Sequence, residues 1–233
     1  MSSNPVPEPY ADTSLDPPVR GFLHRPPFDA IATLVLTHGA GGNAKSALLI
    51  ALAEKFAAHG FNVLRCDLPF RQTRLYGPPR PGDAARDREG LRNAVAAARN
   101  LGPSRVFLGG QSYGGRQATM LCAESPDLVH GLLLLSYPLH APGKPDQPRI
   151  QHLPKLQIPG LFVHGTRDPF GSLEEVQSAL KLIPSRTELL PVEGAGHDLG
   201  FKGKSKNEAL PNKMTEAFRR FFDTPMNRYQ PIS

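Results

Sequence analysis

Six short apolar runs recur along the chain with amphipathic helical segments between them, and this alternation limits the architecture more than any other feature. The runs are Ile31–Thr37, Asn62–Cys66, Arg105–Leu108, Gly131–Ser136, Gly160–Val163 and Thr187–Val192. Strands that read as apolar on both faces must be covered on both, so the pattern predicts a mainly parallel sheet with helices on each side. Leu132 to Leu135, four leucines in a row, is too short to span a membrane and suits a doubly buried central strand.

The helical segments carry readable ends. Leu48, Leu49, Leu52 and Phe56 form one stripe, ended by Gly60. Leu91, Val95 and Ala98 form another, closed by Gly102 and Pro103. Leu173, Val176 and Leu180 follow a capping-box signature, Ser172 with Glu175. Met214, Ala217, Phe218 and Phe221 give a last amphipathic helix. Between Tyr113 and Ser125 the residues are small or apolar on nearly every side, which predicts a buried helix.

At 233 residues the chain suits one domain. The expected organisation is a flexible, proline-rich N-terminal segment over residues 1–20, a domain over 21–223 and a tail over 224–233. Two proline-dense stretches, Phe70–Asp83 and Tyr137–Pro159, read as irregular, the second as a loop or short lid too broken for a cap domain.

Composition narrows the classes. No run reaches the roughly 18 apolar residues of a membrane span. Met1 to Pro18 lacks the basic-then-apolar pattern of an export signal. Cys66 and Cys122 show no metal-ligand spacing and read as buried thiols in a reducing compartment, so the expected location is cytoplasmic. The net charge of +6 is spread along the chain, Trp is absent and aromatics are 7%, which points to a generally basic surface and not to nucleic acid.

The chemistry concentrates in Gly110-Gln111-Ser112-Tyr113-Gly114, a G-x-S-x-G pentapeptide. Five letters alone say little, but here they follow the apolar run Val106-Phe107-Leu108 and open the buried helix. That is the strand–turn–helix setting of a nucleophile elbow, which makes Ser112 the candidate nucleophile and more than an N-cap. A serine hydroxyl needs a base, and the base needs an orienting carboxylate. Asp168 follows the run ending at Val163, and His197 follows the run ending at Val192. Asp198 is the weaker candidate acid, because a residue adjacent to His197 grips its ring poorly.

Acyl transfer also needs N–H donors for an oxyanion. Tyr113, just after the nucleophile at a helix N-terminus, is one candidate; Ala40, in His38-Gly39-Ala40-Gly41-Gly42, is the other. The same glycine cluster could cradle a phosphate, but its spacing is not that of a Walker A loop. His38 and His164 each precede a glycine at a strand end and read as structural rather than as a metal pair. Arg71, Arg74 and Arg80 lie where a strand end should border the pocket. They are candidates for binding an acidic or carboxylate-bearing ester, with solvated loop arginines as the competing reading.

Three segments carry a family resemblance: Leu36 to Gly42, Gly109 to Arg116 and Leu161 to Gly171. They resemble the KANL3/Tex30-type branch of the α/β-hydrolase superfamily, related to dienelactone-hydrolase-like proteins, from about Ile31 to Phe222. The resemblance implies an α/β-hydrolase fold without a large cap domain, its first strands degenerate or missing. It puts Ser112, Asp168 and His197 in the nucleophile, acid and base positions, with no cofactor and no metal. True dienelactone hydrolases use a cysteine nucleophile, so that activity is not transferred to a chain with serine. The expected function is a serine hydrolase of carboxylesterase type acting on a small-molecule ester, as a monomer or small homo-oligomer, without membrane or nucleic-acid partners. One eukaryotic relative belongs to a nuclear acetyltransferase-associated complex, so the alternative is a catalytically silent interaction domain on the same fold.

Overall fold

The computed structural model describes residues 6–201 and 207–223. All six apolar runs become strands: β3 Ala32–Thr37, β4 Phe61–Cys66, β5 Val106–Gln111, β6 Leu132–Leu135, β7 Gly160–Gly165 and β8 Thr187–Val192. They pair in parallel in the order β4-β3-β5-β6-β7-β8. Helices α1 (Ala47–Ala58), α3 (Asp83–Arg99), α4 (Tyr113–Glu124), α5 (Leu173–Leu180) and α6 (Leu210–Asp223) supply the crossovers and the last layer.

Strand periodicity sorts the core into two faces. Leu34, Leu36, Phe107, Leu133 and Leu135 pack with α1 and α6, through Phe56, Met214 and Phe218. Val35, Leu108, Leu132 and Leu134 pack with α3, α4 and α5, through Leu91, Leu121 and Val176. Leu132 to Leu135 are all 0% exposed. Each such leucine contributes roughly 1.5–3 kcal/mol of burial, which explains why the run alternates faces without a polar residue. The capping box of α5 forms with both bonds present, Ser172 Oγ accepting from the Glu175 N–H and a Glu175 carboxylate oxygen accepting from the Ser172 N–H.

Two expectations are corrected. Within the expected flexible segment, residues 8–12 and 19–20 are strand, and the first strands are not missing. β1 (Glu8–Asp12) pairs antiparallel with β2 (Val19–His24), and β2 pairs antiparallel with β4, completing an eight-stranded sheet. β1 is an edge strand with mostly exposed side chains, so no apolar periodicity announces it. Pairing holds it, and Gly21 in β2 lets the strands close up, since a Cβ there would lie 1.8 Å from the Arg65 carbonyl oxygen. The second correction concerns Phe70–Asp83, whose beginning is helical: α2 (Pro69–Thr73) starts on Pro69, where a fixed φ and a missing N–H favour a helix.

The Tyr137–Pro159 segment is a loop containing a single 3-10 turn, Leu153–Lys155. It is packed down by buried Leu139, Leu153, Leu156 and Ile158. The expected tail, 224–233, lies outside the described residues. Both cysteines are free and buried, and burial pushes each thiol up to about 12.

Candidate active site

β5 ends at Gln111 and α4 begins at Tyr113, so Ser112 alone makes the turn. Its backbone sits at φ 50°, ψ −115°, a conformation that costs a non-glycine residue about 1–3 kcal/mol. The flanking glycines make the turn possible. A Cβ on Gly110 would lie 2.5 Å from the Gly115 nitrogen, and one on Gly114 would lie 2.5 Å from the His38 oxygen.

The loops after β7 and β8 are stitched together. Arg167 N–H donates to the Ala195 carbonyl at 2.9 Å, and Gly194 N–H donates to Thr166 Oγ1 at 2.9 Å. The stitching brings Asp168 to His197. His197 Nδ1 lies 2.8 Å from Asp168 Oδ2 and 3.0 Å from Oδ1, while its Nε2 lies 2.8 Å from Ser112 Oγ. A carboxylate only accepts, so Nδ1 carries the proton and Nε2 is left to accept from the serine hydroxyl. The Asp168 side chain is fully buried and its Oδ1 also accepts from the Phe170 N–H at 2.9 Å. The Phe170 ring stacks on the imidazole at 4.0 Å. Three residues distant in sequence thus meet at the carboxyl ends of their strands. Asp198, the weaker candidate acid, accepts from the Gly200 N–H instead.

The glycine loop after β3 lies against the serine, and a Cβ on Gly39 would sit 3.3 Å from Ser112 Cβ. The Gly39 carbonyl accepts from His38 Nδ1 at 2.8 Å and from the Gly42 N–H at 3.0 Å. His38 Nε2 accepts from the Leu68 N–H at 3.1 Å, which fixes the tautomer. Burial holds the His38 imidazole below the usual histidine range, in keeping with a neutral ring. His164 Nε2 lies 2.8 Å from the Gly171 carbonyl, so both histidines serve backbone groups, His38 bridging its own turn and the loop after β4.

A cleft of about 750 Å³ opens over Ser112 and His197. β5 lies between β3 and β6, so the glycine loop after β3 and the Tyr137–Pro159 loop after β6 flank the serine on opposite sides. The arginines of this cleft are Arg116 and Arg149. The three expected from sequence lie elsewhere. Arg71 is buried and donates to four backbone carbonyls, those of Gly42, Ala40 and Gly77 at 2.9 Å and Arg74 at 3.1 Å. Arg74 is paired with Asp83 at 2.5 Å, and Arg80 is exposed and outside the cleft. Arg71 is therefore a staple of the glycine loop and no substrate ligand. A buried guanidinium must spend its donors, and carbonyls of the loop were nearest.

Tyr113, the first residue of α4, is tied to the scaffold by its ring. Its hydroxyl donates to Asp87 Oδ2 at 2.7 Å, and Asp87 Oδ1 accepts from the Phe70 N–H at 3.0 Å. Burial raises the Asp87 carboxyl, against the opposing effect of these two hydrogen bonds. Burial, with the Asp87 hydrogen bond, also raises the phenol.

A family profile described as "Alpha/beta hydrolase domain" matches residues 30–224. The chain belongs to the α/β-hydrolase family. Among curated relatives, this α/β-hydrolase is 29% identical over 83 residues to an (R)-3-hydroxydecanoyl-ACP:CoA transacylase of Pseudomonas putida, a match spanning 36% of the chain and only 28% of that relative. In fold it resembles a dienelactone hydrolase from Anabaena variabilis, with a TM-score of 0.67 at 21% identity, over 92% of this chain and 98% of the other. It also resembles an alpha-beta serine hydrolase homologue from Coxiella burnetii, with a TM-score of 0.70 at 17% identity, over 94% and 97%. Among the described residues, no helix of this α/β-hydrolase is long and apolar enough to cross a membrane.

Sequence reasoning missed Arg116 and Arg149. For Arg116 a signal existed, because a residue four positions after Ser112 on a helix lies on the same face. Arg149 had none, since only the sheet order carries its loop to the cleft.

Proposed function

We propose that this α/β-hydrolase is a serine hydrolase that cleaves carboxylic esters of small molecules. The observation that carries the reading is the unbroken hydrogen-bonded line from Ser112 Oγ through His197 to buried Asp168, with both key distances at 2.8 Å. Ser112 Oγ attacks the ester carbonyl carbon as its proton passes to His197 Nε2, and the carbonyl electron pair moves onto oxygen. Asp168 stabilises the imidazolium by accepting from Nδ1. Collapse expels the alcohol, which takes the proton from Nε2 and leaves an acyl group on Ser112. Water then delivers a proton to His197, attacks the acyl carbon and frees the acid, and Ser112 recovers its proton.

The oxyanion is assigned to the N–H groups of Tyr113 and Ala40. Tyr113 N–H belongs to the first turn of α4, where amides lack an intrahelical partner. The Gly39–Ala40 peptide is planar and trans, so holding its carbonyl by His38 and Gly42 fixes where the Ala40 N–H points. Losing one such donor typically costs about 10²–10³ in turnover.

Within the family, the segment Leu161 to Gly171 supports a place in the KANL3/Tex30-type branch. The two buried thiols suit a reducing, cytoplasmic setting. An acyl-enzyme yields to whichever nucleophile reaches it, and the likeness to a transacylase makes a thiol the second acceptor to examine.

A fluorophosphonate probe should label the wild-type protein and not Ser112→Ala, and that variant should lose about 10⁴–10⁶-fold in ester turnover. Product analysis with and without added thiol separates hydrolysis from transfer. Wild type that resists the probe and is inert across an ester panel would favour the silent interaction domain and overturn the proposal.

A further inference from the structure

Two guanidinium groups, those of Arg116 and Arg149, line the cleft with no carboxylate within salt-bridge reach among the described residues. Arg116 Nε is buried with no hydrogen-bond partner. The carboxylate of the cleft lining, Asp198, accepts from the Gly200 N–H and makes no salt bridge to either arginine, and the polar side chains beside Arg116 are neutral. Burial, with the Arg116 charge, holds His152 down to about 4, so it is neutral near pH 7. Burial also holds Tyr137 up to about 12, so its phenol keeps its proton. The two arginines sense each other, since burial and the Arg116 charge both hold Arg149 below the usual arginine range.

Their placement is fixed, not incidental. Arg116 follows Ser112 by one helical turn, with its N–H donating to the Ser112 carbonyl at 2.9 Å. Arg149 hangs from a pinned backbone: its N–H donates to the Leu139 carbonyl at 2.7 Å, and its carbonyl accepts from the Tyr137 hydroxyl at 3.1 Å. Two like charges held together at reduced solvent exposure, with one N–H unsatisfied, are stabilised by an oxyacid anion that accepts from both forks.

We propose that Arg116 and Arg149 form an anion subsite beside Ser112, so that the preferred substrates are esters whose acyl or alcohol part carries a carboxylate or a phosphate. The inference rests on the serine-hydrolase reading for the word ester, but the subsite itself does not. It differs from the sequence expectation in its residues: the anion is met by the arginines of α4 and of the loop after β6, not by Arg71, Arg74 or Arg80.

The test has a kinetic arm and a binding arm, both on the full chain. In the first, kcat/KM is compared for a p-nitrophenyl alkanoate, the p-nitrophenyl half-ester of a dicarboxylic acid and an ester carrying a phosphate. A charge-assisted contact predicts a preference of about 10–100-fold for the matching anionic ester. Arg149→Gln and Arg116→Gln should each bring that ratio toward one, mainly through KM, and Arg116→Lys should restore only part of it. Thermal melting identifies a variant that fails to fold, and Arg149, on a loop, is the safer site. In the second arm, succinate and inorganic phosphate are titrated calorimetrically into Ser112→Ala; the one that binds names the anion, and Arg149→Gln in that background should weaken it at least about tenfold.

Equal kcat/KM for neutral and anionic esters, with no anion bound by Ser112→Ala, overturns the subsite and leaves the hydrolase reading standing. An anionic preference or anion binding that survives both Gln substitutions overturns it too. An inert ester panel together with anion binding that Arg149→Gln abolishes supports the subsite while the hydrolase reading falls.

Discussion

The two flanks of the cleft are each built with arginine, and the arginines do opposite work. On the β3 side, Arg71 spends four N–H groups on backbone carbonyls of its surroundings, two of them in the glycine loop itself. On the β6 side, Arg149 and Arg116 face the cleft without a carboxylate partner among the described residues. Charge and residue type are the same on both flanks. What separates scaffold from ligand-binding group is whether the fold has already used the donors.

The contrast can be broken at Arg71. Arg71→Ala should strand four carbonyls, lower stability by about 3 kcal/mol or more, and cut kcat by about 10²–10³-fold as the Ala40 amide loses its aim. Arg71→Lys keeps the charge but not the fork, and should recover less than half of either loss. Thermal melting with steady-state kinetics on a neutral ester reads both. A kcat that stays at the wild-type level in Arg71→Ala would mean that the loop holds itself. Substitutions of Arg149, by contrast, act through KM and should leave the melting temperature near that of wild type.

Asp87 sharpens the same comparison one step further from the chemistry. It anchors Tyr113 and the start of α2 at once, through Oδ2 and Oδ1. Asp87→Ala should lower stability by about 1–3 kcal/mol and reduce kcat by roughly tenfold, while Asp87→Asn, which can still accept from one partner, should do less. Equal effects of the two substitutions would show that the carboxylate's charge matters and its bonds do not.

The smallest expected effect is a pH slope. Burial, with an arginine beside each, holds His24 and His152 down to about 4, from an ordinary 6.5. Between those values the unfolded chain binds more protons than the folded one, so stability rises with pH across the window and is lost as pH falls from about 6.5 toward 4. His152→Gln should flatten part of that slope in melting curves measured from pH 7 to pH 4.5. A slope identical to that of wild type would remove His152, and with it the neutral neighbour of Arg116, from the account.

Much of this was legible in the sequence, for reasons that also explain the failures. β3 to β7 are buried on both faces or nearly so, and such strands write themselves as apolar runs between turn residues. β1 is held by pairing at an edge, which leaves no mark in hydropathy. Proline density makes Phe70–Asp83 read as irregular, yet its beginning is helical, because Pro69 suits the first helical position as well as a loop. At the site, Ser112, Asp168 and His197 each follow an apolar run within a few residues, so topology alone predicts a shared rim. The arginines were misassigned because a sequence shows where charges are dense but not which ones have partners.

The contact between Gly39 and Ser112 has a consequence for how such a site can diversify. Three of the four residues from Gly39 to Gly42 have no side chain, so along this loop a substrate meets mainly bare peptide. Point mutation has little to adjust at Gly39, since a Cβ there adds bulk against the nucleophile. New preferences are written where side chains such as Arg116, Arg149 and Leu48 reach the cleft and can be exchanged one at a time.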